Sequence, residues 1–140
     1  MKITRIHHVA IALNDTTAMD AVLGDAFALP PPYRERSPRS PLDITIYKVG
    51  DSAIELLRPD GPGSSVPAFI AEKGEGLFHL CLEVEDLDSA IAELQAKGLR
   101  LRPGFPNTGH GGTRVAFLDP ATTGGVLFEL LEPARGAEAH

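Results

Sequence analysis

The sequence of 140 residues is poor in cysteine and aromatic residues: it contains one cysteine and no tryptophan, and aromatic residues make up 6%. The single cysteine, Cys81, excludes an internal disulfide and a metal site built from several thiolates. Any metal ion would therefore be bound by nitrogen and oxygen ligands. We expect Cys81 itself to be a small buried side chain.

Long hydrophobic runs and an excess of positive charge are also lacking. No stretch approaches the roughly 20 consecutive apolar residues of a membrane helix, and the N-terminus lacks the charged start and apolar run of a signal peptide. The formal net charge is −6, which provides no basic stripe for nucleic acid. We therefore expect a cytoplasmic protein with neither a nucleic-acid nor a membrane partner.

An internal repeat is the most informative feature that the sequence does contain. A histidine opens an apolar run at His8 and again at His79. About fifty residues after each histidine comes the phrase Glu-Leu-Leu-x-Pro, which contains Glu55 in the first copy and Glu129 in the second. Repetition of this kind predicts two copies of one supersecondary unit.

The local patterns predict both strands and helices. Runs of β-branched and apolar residues predict strands over 6–13, 44–49, 53–57, 79–84, 114–118 and 126–131. The clearest helix lies between Asp86 and Gly98, where Asp86 can cap the start and Gly98 ends the apolar periodicity. A weaker helix spans about 15–27, and 66–73 predicts a short helical turn. The stretch 28–41, rich in proline and arginine, is predicted to be irregular.

The length fits one domain made of two half-size modules, because units of about 70 residues rarely bury enough apolar surface alone. We predict module 1 over about 3–58 and module 2 over about 76–133. A linker of about 59–75 joins the modules, and a frayed tail follows over 134–140.

The repeated histidines and glutamates favour a metal site. Taken singly, each is more often a solvated or structural residue than a ligand. Glu55 and Glu129, however, lie inside apolar strands, where an unpaired buried carboxylate would cost several kcal/mol. A cation shared by the two glutamates with His8 and His79 removes that cost.

The ligand set restricts the metal and its chemistry. Two neutral imidazoles and two carboxylates suit an octahedral divalent ion such as Co²⁺, Mn²⁺, Ni²⁺, Fe²⁺ or Zn²⁺. Four protein ligands leave two open positions, which a substrate presenting two oxygens can fill. No position then remains for dioxygen, which favours Lewis-acid catalysis in which a nearby carboxylate moves a proton.

Several phrases resemble the vicinal oxygen chelate superfamily, the glyoxalase and bleomycin-resistance type, over roughly residues 3 to 133. They are His-Val-Ala-Ile-Ala from His8, Ile-Glu-Leu-Leu around Glu55, Gly-Glu-Gly-Leu-Phe-His ending at His79, Gly-His-Gly at 109–111, and Gly-Gly-Val-Leu-Phe-Glu-Leu around Glu129. The phrases that end at His79 and surround Glu129 are closest to the methylmalonyl-CoA epimerases of that superfamily.

The resemblance implies an α+β fold in which two tandem βαβββ modules form a curved mixed sheet around a metal-binding cleft. It implies that His8, Glu55, His79 and Glu129 bind a divalent metal ion, and that Glu129 also transfers a proton. The implied activity is that of an isomerase, a metal-dependent epimerase that enolises methylmalonyl-CoA or a similar acyl-CoA at the 2-position. A homodimer is implied as well.

Epimerisation requires a proton route on both faces of the reacting carbon. The candidate for the second base is Asp43, which lies in the strand before that of Glu55. Together with Glu55 and Glu129, it completes the set of carboxylates expected to take part in catalysis.

Departures from the epimerase pattern leave the substrate open. Phe78 stands where the epimerases usually show a histidine, and Ala121 replaces a common lysine that could meet the anionic CoA portion. Three arginines at 34, 36 and 39 could receive an anionic substrate instead. The alternatives are a glyoxalase I-like lyase or another superfamily enzyme acting on a different enolisable substrate, and a metal-free small-molecule-binding module of the resistance type. The low aromatic content disfavours the binding module.

Overall fold

The computed structural model describes residues 1–38 and 40–135 and, for His110, the backbone. The chain divides into two units. Unit I comprises residues 8–78, and unit II combines residues 1–7 with the chain from residue 79 onward. The predicted division into modules 3–58 and 76–133 stays a prediction, and the predicted tail lies outside the described residues from position 136.

Unit I is a mixed sheet with two helices. Its elements in chain order are the second half of β1 (Ile3–Ala12), α1 (Thr17–Asp20), β2 (Tyr33–Arg36), β3 (Leu42–Val49), β4 (Ser52–Pro59) and α2 (Val66–Lys73). The chain after α1 continues as a π-helix over Ala21–Ala26. The strand order is β2–β3–β4–β1, antiparallel except for the parallel pair of β4 and β1. The helices predicted over 15–27 and 66–73 are thus confirmed.

The stretch 28–41 is predicted to be irregular, and this prediction is wrong in part because the stretch contains β2. This short strand pairs antiparallel with β3, from Tyr33 opposite Ile46 to Arg36 opposite Asp43. Its sequence, Tyr-Arg-Glu-Arg, shows no alternation of apolar and polar residues, so it carries no strand signal of its own. The strand forms because β3 offers a free edge, an effect of tertiary context that local propensity does not report.

Unit II repeats the βαβββ order of unit I. Its repeat consists of β5 (Gly76–Val84), α3 (Leu87–Ala96), β6 (Asn107–Thr108), β7 (Arg114–Phe117) and β8 (Phe128–Glu132). The unit also contains the first part of β1, it includes β5 from His79 onward, and short 3₁₀ segments lie at His110–Gly112 and Pro120–Thr122. The strand order is β1–β5–β8–β7–β6, with β5 and β8 parallel and β6, β7 and β8 antiparallel. The α+β class and the two βαβββ units are confirmed.

Helix α3 shows how the sequence determines an element of unit II. The Asp86 carboxylate accepts a hydrogen bond from the backbone N–H of Ser89 at 3.1 Å, which caps the helix start. After the helix, Gly98 has a φ of 94°, a conformation that glycine adopts without strain. The buried face of α3 packs on β5, β7 and β8 in one apolar cluster: Val84, Leu87, Ala90, Ile91, Ala116 and Leu130. In the part of the chain that the structure describes, no helix is long and apolar enough to cross a bilayer.

Leu87→Ala is expected to destabilise the protein by about 2–5 kcal/mol, because the replacement removes buried methyl groups and leaves a cavity in a packed cluster. The Leu87 side chain is fully buried, at 0% exposed. A matched control is Leu77→Ala, because Leu77 is 73% exposed, and we expect a change within about 0.5 kcal/mol. Urea unfolding followed by circular dichroism measures both variants. Equal losses of stability would contradict this account of the core.

Candidate metal centre

His8 and Glu55 come together in unit I. The parallel register pairs Ala10 with Glu55, so His8, two residues before Ala10, projects from the same face of the sheet as the carboxylate. Nδ1 of His8 lies 3.2 Å from Oε2 of Glu55, and the two side chains are only 6% and 12% exposed. Ala10 is completely buried and leaves room beside the pair because its side chain is small.

His79 and Glu129 come together in the same way in unit II. The parallel register of β5 and β8 pairs Cys81 with Glu129, and His79 lies two residues before Cys81. Nε2 of His79 lies 3.0 Å from Oε1 of Glu129, with 5% and 10% of the side chains exposed. The His79 ring packs edge-on against Phe117, with ring centroids 5.0 Å apart. As expected, Cys81 is a buried residue of the surrounding apolar cluster.

The two units therefore repeat one geometry. In each unit, two parallel strands lie side by side, and one residue of the first strand pairs with the glutamate of the second. The histidine lies two residues before that paired residue. The apolar clusters around Leu56 in unit I and Leu130 in unit II cover the opposite face of the respective sheet. The repeat that the sequence shows in residue type thus extends to hydrogen-bonding register and burial.

Each pair is chemically suited to bind a divalent metal ion. A buried imidazole nitrogen and a buried carboxylate oxygen at about 3 Å from each other are ligands that Mn²⁺, Co²⁺, Ni²⁺, Fe²⁺ and Zn²⁺ accept. One pair alone offers two side-chain ligands, whereas protein sites for such ions usually use three or four. One pair alone therefore does not complete such a site.

Asp43 does not lie on the face that carries Glu55. In the antiparallel register of β3 and β4, Asp43 is opposite Arg58 and Ile46 is opposite Glu55, so the two carboxylates project from opposite faces of the unit I sheet. Asp43 accepts hydrogen bonds from Arg36 and Arg58. The hydrogen bond from Arg36 holds the pKa of Asp43 below its usual value, which makes its carboxylate a weaker base. This placement does not support Asp43 as the second base.

A cavity of about 360 Å³ in unit I is lined by arginines of β2 and β4. Its charged lining residues are Arg34, Glu35, Arg36, Asp43 and Arg58. Arg36 pairs with both Asp43 and Asp60, so positive charge in this cavity is balanced by carboxylates. An anionic substrate would therefore have to compete with these carboxylates for Arg36. The third arginine of that prediction, Arg39, lies outside the described residues.

One of the two departures from the epimerase pattern has a structural role. Phe78 is 8% exposed and packs edge-on against Phe69 of α2, with ring centroids 4.8 Å apart, which makes it a core residue of unit I. Ala121 is exposed, and only its backbone N–H takes part in local structure, where it donates a hydrogen bond to the Asp119 carboxylate. Packing therefore accounts for Phe78, whereas nothing in the structure explains the alanine at 121.

The missed strand β2 adds polar groups to the face that carries Glu55. Tyr33 pairs with Ile46, and Ile46 in turn pairs with Glu55, so all three project from one face. Glu35, two residues after Tyr33, projects from that face as well. No sequence signal singles out Glu35, because 28–41 is predicted to be irregular and side-chain direction can be inferred only within a strand or helix.

The repeated βαβββ units, each with a buried His–Glu pair, define a class of protein. The chain belongs to the Glyoxalase/Bleomycin resistance protein/Dioxygenase superfamily, whose family model matches residues 7–117.

Within this superfamily the chain is similar to methylmalonyl-CoA epimerases. It is 33% identical over 131 residues to the mitochondrial methylmalonyl-CoA epimerase of Bos taurus, covering 90% of this chain and 73% of that protein. It is 34% identical over 130 residues to the ethylmalonyl-CoA/methylmalonyl-CoA epimerase of Cereibacter sphaeroides, covering 91% and 97%. A solved variant of the Streptomyces coelicolor methylmalonyl-CoA epimerase, in complex with 2-nitronate-propionyl-CoA, superposes with a TM-score of 0.87, 28% identity and coverage of 99% and 100%.

These similarities confirm the resemblance that the sequence phrases indicated, and they confirm the prediction of an enzyme of the isomerase class, an epimerase. They do not test the residues of the site. The roles of His8, Glu55, His79, Glu129 and Asp43 stay predictions.

Proposed function

We propose that the protein is a metal-dependent epimerase that inverts C2 of methylmalonyl-CoA or a close acyl-CoA relative by enolisation. The observation that carries the proposal is the buried His–Glu pair, present once in each unit with the same register. The similarity to epimerases over at least nine tenths of the chain supports the reaction and the acyl-CoA class of substrate.

The proposed metal ligands are His8, Glu55, His79 and Glu129. Both pairs are buried, and their imidazoles and carboxylates balance a divalent charge, which supports their joint use. When bound, Co²⁺ or a similar ion would supply Lewis-acid polarisation of the thioester carbonyl. Mass spectrometry of the metal content of purified protein identifies which of Co²⁺, Mn²⁺, Ni²⁺, Fe²⁺ and Zn²⁺ it binds.

The residues of the chain itself would move the proton. The hydrogen on C2 lies between a thioester carbonyl and a carboxylate, so its removal leaves an enolate whose charge both groups share. The Glu129 carboxylate is the proposed proton-transfer group. Its apolar surroundings, which include Phe117 and the buried Leu131, limit contact of a reactive enolate with water, while the 10% of the Glu129 side chain that is exposed allows proton exchange with solvent.

Proton exchange in D₂O, followed by NMR, tests the proposed function. Protein stripped with a chelator is expected to leave the 2-position of methylmalonyl-CoA unchanged. Protein reloaded with Co²⁺ or Mn²⁺ is expected to introduce deuterium there and to interconvert the enantiomers.

The other outcomes separate the alternatives. Bound metal without exchange would preserve the site but reject this substrate, and a glutathione hemithioacetal would then test the lyase alternative. If the protein retains no metal, the epimerase proposal is wrong and a binding module of the resistance type becomes the better account.

A homodimer is part of the proposal, since the resemblance implies it. Sedimentation equilibrium is expected to give about twice the chain mass of 14.9 kDa. A monomer mass at micromolar concentration would contradict this expectation without affecting the reaction itself.

A further inference from the structure

We propose that Glu35 on β2 is the second proton-transfer residue of the epimerase, in the role that the sequence predicted for Asp43. This inference rests on the proposed function. Inversion of C2 needs a proton-transfer group on each face of the carbon, and Glu129 serves one face only.

The register of unit I places Glu35 on the face that carries Glu55. Across β2, β3 and β4, Tyr33 pairs with Ile46, and Ile46 pairs with Glu55. In the next row of the same face, Glu35 pairs with Ile44. Asp43, one residue before Ile44, projects from the other face. The strand alternation therefore selects Glu35 and rejects Asp43 as a partner for Glu55.

The separation of Glu35 and Glu55 follows from the spacing of the strands. Their strands are two apart in the sheet, which corresponds to about 10 Å, and they are offset by two residues, about 7 Å along the strands, so the Cα atoms are roughly 12 Å apart. Between them lie Ile44 and Ile46, of which Ile46 is 3% exposed. The side chains of Glu35 and Glu55 can thus approach a group resting on this apolar floor from two sides.

The chemistry of the face selects Glu35 among its other polar groups. Tyr33 and Lys48 also project from this face, since Tyr33 pairs with Ile46, and Lys48 pairs with Ala53 in the row of His8. A lysine ammonium offers no acceptor atom and a tyrosine hydroxyl offers one, whereas a carboxylate offers two acceptor oxygens for a proton. Glu35 is half-buried, and its Oε1 is shielded from solvent.

The proposed step is balanced in atoms and electrons. The Glu35 carboxylate accepts the C2 proton and becomes a carboxylic acid, while the electron pair of the C–H bond passes into the enolate. In this direction the second carboxyl group of the proposed mechanism, Glu129, starts as the carboxylic acid, donates its proton to C2 on the other face and ends as a carboxylate. In the reverse direction, the Glu35 carboxylic acid returns a proton to carbon. Each carboxyl group regains its starting state by proton exchange with water.

Glu35→Gln should therefore affect one enantiomer of the substrate much more than the other. With the (2R) and (2S) forms offered separately in D₂O, deuterium exchange of one is expected to fall by about 10²- to 10⁴-fold. Exchange of the other should stay within a few-fold of wild type, and epimerisation in both directions should fall with the weaker step. Metal content by mass spectrometry should be unchanged, because Glu35 is not among the proposed ligands, and circular dichroism checks that the variant is folded.

Two further variants sharpen the test. Glu35→Asp keeps a carboxylate and should recover part of the lost exchange, which a merely structural role of the longer side chain would not predict. Glu72→Gln, at an exposed position of α2, applies the same chemical change away from the site and should behave as wild type.

The outcomes separate this inference from the function on which it rests. If wild type exchanges both enantiomers and Glu35→Gln exchanges both equally well, the role of Glu35 is wrong and the epimerase stands. Equal loss of both exchanges in a folded, metal-loaded variant would overturn it too, since a group that serves one face cannot cause that loss. If metal-loaded wild type exchanges neither enantiomer, both proposals fail.

Discussion

His79→Ala is expected to lower the affinity for Co²⁺ by at least about 100-fold and to reduce epimerisation to background. Loss of a partner that only orients a ligand already costs about 10- to 100-fold in metal affinity or activity, so loss of a ligand should cost at least as much. The change also removes the imidazole that lies 3.0 Å from the buried Glu129 carboxylate, so some loss of stability should accompany it. Isothermal titration with Co²⁺ on chelator-treated protein measures the affinity.

Thr113→Ala is the control, because Thr113 is a buried polar residue of the same unit, at 8% exposed, and is not a predicted ligand. Its affinity for Co²⁺ should stay within a few-fold of wild type for protein that circular dichroism shows to be folded. An equal loss of Co²⁺ affinity in both variants would mean that the loss reflects a change in structure and not the removal of a ligand. Undiminished binding in His79→Ala would remove His79 from the ligand set.

Glu129→Gln is expected to lower the exchange at C2 by about 10²- to 10⁴-fold, the usual contribution of a general base. The amide keeps the size of the side chain and one oxygen donor, so the affinity for Co²⁺ should fall less than in His79→Ala. The exchange assay in D₂O with separate enantiomers measures the chemical step, and titration with Co²⁺ measures binding.

Glu55→Gln is the natural comparison, since it makes the same replacement in the sister pair. If Glu129 alone transfers the proton, Glu55→Gln should weaken metal binding to a similar degree but lose less exchange once saturated with metal. Equal exchange losses at saturating metal would assign no special role to Glu129. With Glu35→Gln included, the Glu129 and Glu35 variants should spare opposite enantiomers, a reciprocal pattern that neither metal loss nor unfolding produces.

Much of the architecture could be predicted from local patterns. The periodicity and the Asp86 cap predict α3, and the cap is present because an aspartate before an apolar helical face satisfies a free backbone N–H. The repeated histidines and glutamates predict a cation shared by all four, because a carboxylate inside an apolar strand needs compensation. The structure places an imidazole beside each carboxylate, at 3.2 Å for Glu55 and 3.0 Å for Glu129, and the shared cation stays a prediction.

The prediction of an irregular stretch over 28–41 is wrong, and the placements of Asp43 and of the arginines depend on tertiary structure for the same physical reason. Strand β2 is invisible in Tyr-Arg-Glu-Arg because it forms against the edge of β3, and the energy of that pairing is not a property of the segment itself. The direction of Asp43 depends on how β3 registers with β4, and a shift of one residue would reverse it. The arginines looked available for an anion, but their pairing with Asp43 and Asp60 joins residues distant along the chain.

The sequence by itself therefore determined the class of the fold and the repeat of a histidine and a glutamate, because repetition, periodicity and charged residues in apolar strands are recorded in residue order. Only the tertiary structure decided which carboxylates share a face. Side chains on a strand alternate between two faces, and the face that matters is defined by the register with neighbouring strands. For that reason Glu35, and not Asp43, lies on the side of Glu55.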